Sequence, residues 1–198
     1  MTRLVCVFNE LDLRTEASLR RFAPAAGLEI EWENTTGSLQ DYANVLEKRW
    51  NKSEDLIVIE HDKEIYADTL PSLMMCGHLW CGYAYWVGVS PHTALAIGGF
   101  GVTKFSAEVQ RLVKVSDFAG PYWHGIDRRF YDYLLENHNT VCHLHGQVTH
   151  HHVYPPRPPA VHKHVAWLRA QGLIGPSQAP AVSDPGLLPG SHRLSPIT

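Results

Sequence analysis

The segment 55–62, DLIVIEHD, is an apolar run that ends in Glu60, His61 and Asp62. Alternate residues of a strand share a face, so we expect Glu60 and Asp62 on one side and His61 on the other. Two carboxylates at a strand end are hard oxygen ligands of the kind that Mg²⁺ or Mn²⁺ prefers. The same three residues would also suit a solvated turn after the strand, and this stretch alone leaves both interpretations open.

A second group of chemically capable residues is histidine, with eight of the thirteen in the stretch 138–164. The outer residues of HLH and of HHH each share a strand face, and a two-residue turn at Gly146-Gln147 would form a hairpin that puts both pairs on one side. These four residues are His143, His145, His150 and His152. Holding clustered imidazoles charged together is costly, which favours a metal or an anionic ligand. Ordinary surface or core histidines are the alternative.

A third candidate is Asp127, within PYWHGIDRRFYDYL. A carboxylate beside aromatic side chains is partly desolvated, which raises its pKa toward that of a general base. The position also suits a helix N-cap, so the alternative is purely structural. Arg128 and Arg129 could bind phosphate or simply decorate the helix surface.

Composition narrows the class of protein. The chain has 198 residues, of which 44% are hydrophobic and 19% charged, with a formal net charge of -3. These values fit an ordinary globular protein, and no bulk positive charge points to nucleic acid. The N-terminal apolar run is too short for a signal peptide, and no segment approaches the roughly 18 apolar residues of a membrane span. We therefore expect a cytoplasmic protein without a membrane partner, in the host cytoplasm if the chain is viral.

Several sequence motifs are missing. The four cysteines form no CxxC pair and are expected to be buried, reduced thiols. The segment GGFGVTK is neither GxGxxG nor a P-loop, and GVSPH is not a nucleophile elbow. No HExxH is present, so nothing supports a zinc protease.

The chemistry-bearing residues need elements to position them, and the hydrophobic pattern predicts an α/β fold with a mostly parallel sheet. The predicted strands cover 3–8, 27–34, 55–62 and 79–89; the predicted helices cover 13–25, 37–53, 68–76, 106–115, 127–138 and 161–173. Thr15 and Ser106 are candidate helix caps. One domain is expected over 1–174, followed by a Pro- and Gly-rich tail over 175–198.

In this order the segments VCVFNE, YANVLEKRW and SEDLIVIEHD resemble glycosyltransferases of the GT-A type. In such enzymes a first strand ends against the nucleotide base, a helix carries an asparagine, and an apolar strand ends in a DxD-type motif. The resemblance covers roughly residues 3 to 154 and implies a GT-A-like fold. The nucleotide-binding residues that it implies are Phe8, Asn9, Glu10, Asn44 and Glu60.

The resemblance also implies a mechanism. Glu60-His61-Asp62 takes the DxD position, with Glu for the first Asp, so that Asp62 binds Mn²⁺ or Mg²⁺ together with His150 and His152. WHGID matches an acceptor segment with a catalytic aspartate, Asp127, whose role as base implies inversion at the anomeric carbon. The donor would be a UDP- or GDP-sugar. The compact length suggests a minimal member of the class, such as a bacteriophage enzyme.

The acceptor of the proposed transfer, and the alternative functional classes, are inferred from less specific features of the sequence. Aromatic segments and a possible basic face allow a hydroxymethylated pyrimidine in DNA as acceptor; that face would comprise Lys104, Arg111, Lys114, Arg128 and Arg129. A metal-dependent hydrolase of the phosphoesterase kind could use the same Asp/His set to activate water. A non-enzymatic metal or nucleic-acid binding module is the third possibility. The oligomeric state is left open.

Overall fold

The computed structural model describes residues 2–35, 40–50, 53–89, 92–120 and 125–151. Three sequence predictions fall outside this part of the chain: the helix over 161–173, the tail over 175–198 and the role of His152 as a ligand.

Helices and strands alternate through the first half of the chain, as predicted. The strands are β1 (Thr2–Phe8), β2 (Ile30–Asn34), β3 (Asp55–Glu60), β4 (Lys63–Glu64), β5 (Trp80–Val89), β6 (His92–Ala96), β7 (Val102–Phe105), β8 (His143–Gln147) and β9 (Thr149–His150). The helices are α1 (Leu13–Ala25), α2 (Asp41–Arg49), α3 (Thr69–Met75), α4 (Ala107–Leu112), α5 (Val115–Phe118) and α6 (Ile126–His138). The α/β class is therefore confirmed.

The main sheet has the strand order β2-β1-β3-β7-β5-β6, and β8 also pairs with β5. The pairs β1–β2, β1–β3 and β5–β8 are parallel, whereas β3–β7, β5–β7 and β5–β6 are antiparallel. The prediction of a mostly parallel sheet is thus wrong for the second half. Helical crossovers make β1, β2 and β3 parallel. In the second half the chain reverses between β5 and β6, and β7 continues in the direction of β6, so both strands are antiparallel to β5.

The predicted hairpin at Gly146-Gln147 is also wrong. β8 continues through both residues and pairs in parallel with β5, with an irregularity between Gly82 and Tyr83. The next strand, β9, leaves the main sheet and pairs antiparallel with β4. The chain after β8 therefore crosses from the sheet to the turn that follows β3.

Strand β1, inside the sheet, is buried on both faces. Along β1, Leu4 and Cys6 belong to one hydrophobic cluster, while Val5 and Val7 belong to another. All four side chains are at most 2% exposed. This burial explains why the strand is apolar at consecutive positions, since neither of its faces contacts solvent.

Helix ends follow local side-chain chemistry. Ser106 caps α4, where its hydroxyl accepts a hydrogen bond from the backbone N–H of Val109, as predicted. Thr15 is not the cap of α1, because Asp12 takes this position and accepts from the N–H of Arg14. The helix predicted over 106–115 is divided into α4 and α5. Among the described helices, none combines the length and the apolar character needed to cross a bilayer.

Candidate functional site

A cavity of about 470 Å³ opens where β1 and β3 end, at the carboxyl edge of the parallel part of the sheet. Five residues that the sequence singled out line it: Asn9, Glu60, Asp62, Asp127 and His150. They come from four separate parts of the chain. Its size falls within the range of small-molecule sites, and its position is where α/β sheets commonly bind ligands.

The backbone of residues 60 to 62 is fixed by three hydrogen bonds to other elements. The N–H of Glu60 donates to the carbonyl of Gly101 at 2.9 Å, and the carbonyl of His61 accepts from the N–H of Asp12 at 3.0 Å. The carbonyl of Asp62 accepts from the N–H of His151 at 3.1 Å. The turn is therefore held in place by the start of α1, the loop before β7 and the end of β9.

His61 does not point away from the carboxylates as strand alternation predicts. It lines the same cavity, and its Nε2 lies 3.8 Å from Oδ2 of Asp62. The reason is that β3 ends at Glu60, so the two following residues form a turn in which the two-residue period no longer holds.

Asp62 and His150 form a buried pair. Their side-chain atoms Oδ2 and Nε2 are 2.7 Å apart, and Asp62 is 6% exposed. Desolvation raises the pKa of Asp62, but the hydrogen bond with His150 and the charge and hydrogen bond of Lys63 outweigh it, so this pKa lies well below its ordinary value. Pairing of β4 with β9, which sets Lys63 opposite His150, brings the two residues together.

The second ring nitrogen of His150 fixes the tautomer. Nδ1 lies 2.5 Å from the carbonyl oxygen of Trp86, which can only accept a hydrogen bond, so Nδ1 carries a proton. Nε2 therefore faces the carboxylate of Asp62 with either a second proton or a lone pair. The separation of 2.7 Å is that of a hydrogen bond. A divalent ion bound by both atoms, with bonds of about 2.1 Å, would need them roughly 3 Å apart, which a small side-chain rotation provides. Histidines that bind metals are typically oriented by such a bond to a carbonyl.

Lys63 is a buried cation within the site, at 2% exposed. Its ammonium group contacts a carboxylate oxygen of Asp62, lies 3.4 Å from Oε2 of Glu60 and sits 4.4 Å from the centre of the Tyr85 ring. The pKa of Glu60 is raised above its ordinary value. Burial is the largest cause, the charges of Asp62 and Asp127 add to it, and Lys63 opposes it. The carboxylates of Glu60 and Asp62 thus share one ammonium group, which leaves the cavity rich in negative charge.

Asp127 reaches the cavity from the first turn of α6. The N-cap of this helix is Gly125 in the left-handed conformation, with φ 73°, which glycine adopts without strain. Asp127 is therefore not the N-cap, and its Oδ1 instead accepts from the N–H of Arg128 at 2.8 Å. A Cβ added to Gly99 would lie 3.4 Å from Oδ2 of Asp127, so the carboxylate packs close to the backbone before β7.

Two tyrosines that the sequence analysis did not single out also line the cavity. Burial raises the pKa of both Tyr42 and Tyr85, and the charges of Glu60 and Asp127 add to the effect. The hydroxyl of Tyr42 is buried beside Glu60, and its hydrogen bond with Glu60 contributes to the raised pKa of the tyrosine. The aromatic run of β5 was the available signal for Tyr85, whereas Tyr42 and Lys63 had none.

The remaining predicted nucleotide-binding residues do not line this cavity. Phe8 packs edge-on against Trp32, with the ring centres 6.3 Å apart. Glu10 is exposed beyond β1, and Asn44 is exposed on α2. The structure therefore does not bring Phe8, Glu10 or Asn44 to Asp62, and a nucleotide site at this cavity would use Asn9 without them.

The predicted basic face is taken up in part by contacts within the fold. Lys104 is 2% exposed and pairs with Asp55 at 2.8 Å. Arg128 pairs with Asp132 at 2.8 Å, and Nε of Arg129 donates to the carbonyl of Phe118. Lys104 and Arg129 are therefore engaged within the fold. Arg128 remains at the surface, as do the exposed Arg111 and Lys114.

Comparisons with known proteins add little to this picture. No family model matches the chain, and neither does a curated protein. Among solved structures, the chain is similar to one described as "Crystal Structure of A197 from STIV", with a TM-score of 0.44 and 12% sequence identity. The match covers 66% of this chain and 78% of that chain.

Proposed function

We propose that this chain is a metal-dependent glycosyltransferase whose donor, a UDP- or GDP-sugar, binds in the cavity at the ends of β1 and β3. The observation that carries the proposal is the convergence of Asn9, Glu60, Asp62, Asp127 and His150 on one cavity of about 470 Å³. The resemblance of the sequence to GT-A enzymes selects nine residues, and these five are among them. Phe8, Glu10 and Asn44 do not line the cavity, and His152 lies outside the described residues.

The donor atoms of Asp62 and His150 suit a divalent ion such as Mn²⁺ or Mg²⁺. A carboxylate oxygen and an imidazole nitrogen meet at 2.7 Å, and the tautomer of His150 is set by the carbonyl of Trp86. When bound, the ion supplies positive charge to the diphosphate that leaves with the nucleotide. Lys63 adds a positive charge beside the carboxylates of Glu60 and Asp62.

Asp127 acts as the base in this proposal. Its carboxylate accepts the proton of an acceptor hydroxyl, the hydroxyl oxygen attacks the anomeric carbon, and the nucleotide diphosphate departs from the opposite side with inversion. The tyrosine rings of Tyr42 and Tyr85 restrict water around the reacting groups. The hydroxyl of Tyr42, which lies beside Glu60 in the cavity, would donate to a sugar hydroxyl or a phosphate oxygen.

The acceptor is a compound with a free hydroxyl. A hydroxymethylated pyrimidine in DNA is the first candidate from the sequence, although the pairing of Lys104 with Asp55 and of Arg128 with Asp132 removes part of the expected basic face. A small-molecule or glycan acceptor needs no such face.

Thermal unfolding with Mn²⁺ and a panel of nucleoside diphosphates tests the proposal. We expect Mn²⁺ and one diphosphate together to stabilise the chain by about 2.7 kcal/mol at a hundredfold excess over the Kd. Asp62→Asn should lose this effect while it still unfolds cooperatively. Asp68→Ala serves as the control, because Asp68 is exposed and its side chain makes no helix-cap hydrogen bond.

Three outcomes would overturn the proposal. Stabilisation by Mn²⁺ without any contribution from nucleotides would favour the hydrolase or a simple metal-binding module. An equal response of Asp62→Asn and the unsubstituted chain would remove Asp62 from the site. Absence of nucleotide release from every sugar nucleotide, with glycans and hydroxymethylated DNA as acceptors, would exclude transfer.

A further inference from the structure

A second cluster of metal-binding side chains lies outside the cavity. Cys76, His143 and His145 each offer one ligand atom, and these three atoms all lie within 4.8 Å of one another. None of the three residues lines the cavity that holds Asp62 and His150. His143 and His145, which the sequence placed on the same side of a hairpin as His150, thus lie at a different place in the fold from His150.

The backbone positions these side chains without the help of an ion. Cys76 is the C-cap of α3, where its N–H donates to the carbonyl of Leu73 and its carbonyl accepts from the buried ammonium group of Lys104 at 2.7 Å. His143 and His145 lie two residues apart on β8, and His145 is the extra residue at the irregularity in its pairing with β5. Their ring centres are 4.9 Å apart, so both side chains lie on the same side. The end of a helix and an edge strand of the sheet therefore meet at the cluster.

The spacing is close to that of a zinc site. Zinc bonds of 2.0–2.3 Å in a tetrahedron put neighbouring ligand atoms roughly 3.5 Å apart. Side chains whose ligand atoms lie within 4.8 Å need only small rotations to reach this spacing. A thiolate with two imidazoles is a donor set that suits zinc and disfavours Mg²⁺ or Ca²⁺.

Two features of the imidazoles point to a ligand. Nε2 of His145 is buried, and it has no hydrogen-bond partner among the described residues. A buried polar atom without a partner is unfavourable, and binding of a cation would satisfy it. The ring of His78 stacks on that of His143, with centres 4.1 Å apart and an interplanar angle of 10°. This stack holds the ring of His143 beside the other two ligand atoms of the cluster.

We propose that Cys76, His143 and His145 form a zinc site that is distinct from the cavity and ties the end of α3 to β8. Three protein ligands leave one tetrahedral position for water. The site does not depend on the proposed transfer reaction, and the chain could bind zinc here whatever occupies the cavity.

Metal titration of the full chain after removal of bound ions by a chelator tests this site. We expect one Zn²⁺ per chain by competition with a chromophoric chelator, and Co²⁺ in its place should give a thiolate-to-cobalt charge-transfer band. Cys76→Ser should abolish the band. His143→Ala and His145→Ala should each weaken zinc binding by at least roughly tenfold. Loss of a residue that only orients a metal ligand already costs about 10–100-fold in affinity.

The controls separate this site from other thiols and histidines. Cys6→Ala changes a buried thiol on β1, three strands from β5, and His138→Ala removes a histidine at the end of α6. Both should keep the band and the zinc affinity. His150→Ala should also keep them, because His150 belongs to the cavity. A chain that binds no zinc, a cobalt complex without the thiolate band, or unchanged binding after Cys76→Ser would each overturn the proposal.

Discussion

Nε2 of His150 lies 2.7 Å from Oδ2 of Asp62, although 88 positions separate the two residues along the chain. The contact joins the turn after β3 to a two-residue strand near the end of the described chain. Because β9 pairs with β4, docking of this strand completes the cavity. Ligand binding at Asp62 and docking of β9 should therefore stabilise each other.

The first prediction concerns this contact. His150→Ala removes one partner from the buried carboxylate of Asp62, so the free energy of unfolding should fall by about 1–3 kcal/mol. Joint stabilisation by Mn²⁺ and a nucleoside diphosphate should also be lost. Urea unfolding and thermal shift measure the two effects. His138→Ala is the matched control, and an equal loss in that variant would show that the effect is not specific to the pair.

The second prediction concerns Gly101 and the floor of the cavity. A Cβ at this position would lie 2.5 Å from Cε1 of Tyr85 and 2.6 Å from Cε of Lys63. Gly101→Ala should therefore destabilise the chain by about 1–3 kcal/mol through overpacking. Gly77→Ala is the control, since no atom lies within 4 Å of its added Cβ, and its effect should stay within about 0.5 kcal/mol. Equal urea midpoints for the two variants would contradict the packing described for Lys63.

The sequence predicted those parts of the fold that depend on local patterns. The apolar run of β3 and the amphipathic α1 appear where expected, and the strand end delivers Glu60 and Asp62 to the cavity. The path of β8 was not predictable from Gly146-Gln147, because it depends on the open edge of β5, a distant part of the chain. A short alternating run does not specify its partner.

The site residues that the sequence analysis misplaced or missed also depend on how distant parts of the chain pack together. Asn44 and Tyr42 lie two residues apart on α2, which separates their side chains by about 200° around the helix axis, and it is Tyr42 that faces the cavity. The family resemblance selects the helix but does not fix its rotation. Lys63 was missed because a lysine is buried only where carboxylates surround it, and Glu60 and Asp62 do so only in the folded chain.

The third prediction concerns pH and the cap of α1. Hydrogen bonds from the side chain of Arg14 are the largest cause that lowers the pKa of Asp12 below its ordinary value of 3.8. A lowered pKa in the folded state means that Asp12 stabilises the chain above pH 3.8 and that this contribution is lost as the pH falls below it. Asp12→Ala should therefore cost about 1 kcal/mol at pH 7 and less at pH 3. Thermal melts at both pH values measure the difference, and a constant difference would exclude the ionised cap.

The fourth prediction separates chemistry from binding at Asp127. Asp127→Asn keeps an oxygen that can accept from the N–H of Arg128 but removes the base, so turnover should fall by roughly 10²–10⁴-fold. Nucleotide binding should be unchanged, because Asp62 and His150 are intact. Nucleotide release at saturating donor, together with thermal shift, measures the two quantities.

Asp132→Asn is the matched control for Asp127, since Asp132 lies on the same helix and pairs with Arg128 on the surface. Asp132→Asn should leave turnover within about twofold, because Asp132 does not line the cavity. The variant should also fold normally, because exposed ion pairs contribute only about 0–1 kcal/mol to stability. Full turnover in Asp127→Asn would remove the carboxylate from the reaction. Loss of nucleotide binding in that variant would instead make Asp127 a donor-binding residue, and the base would then have to be sought elsewhere in the cavity.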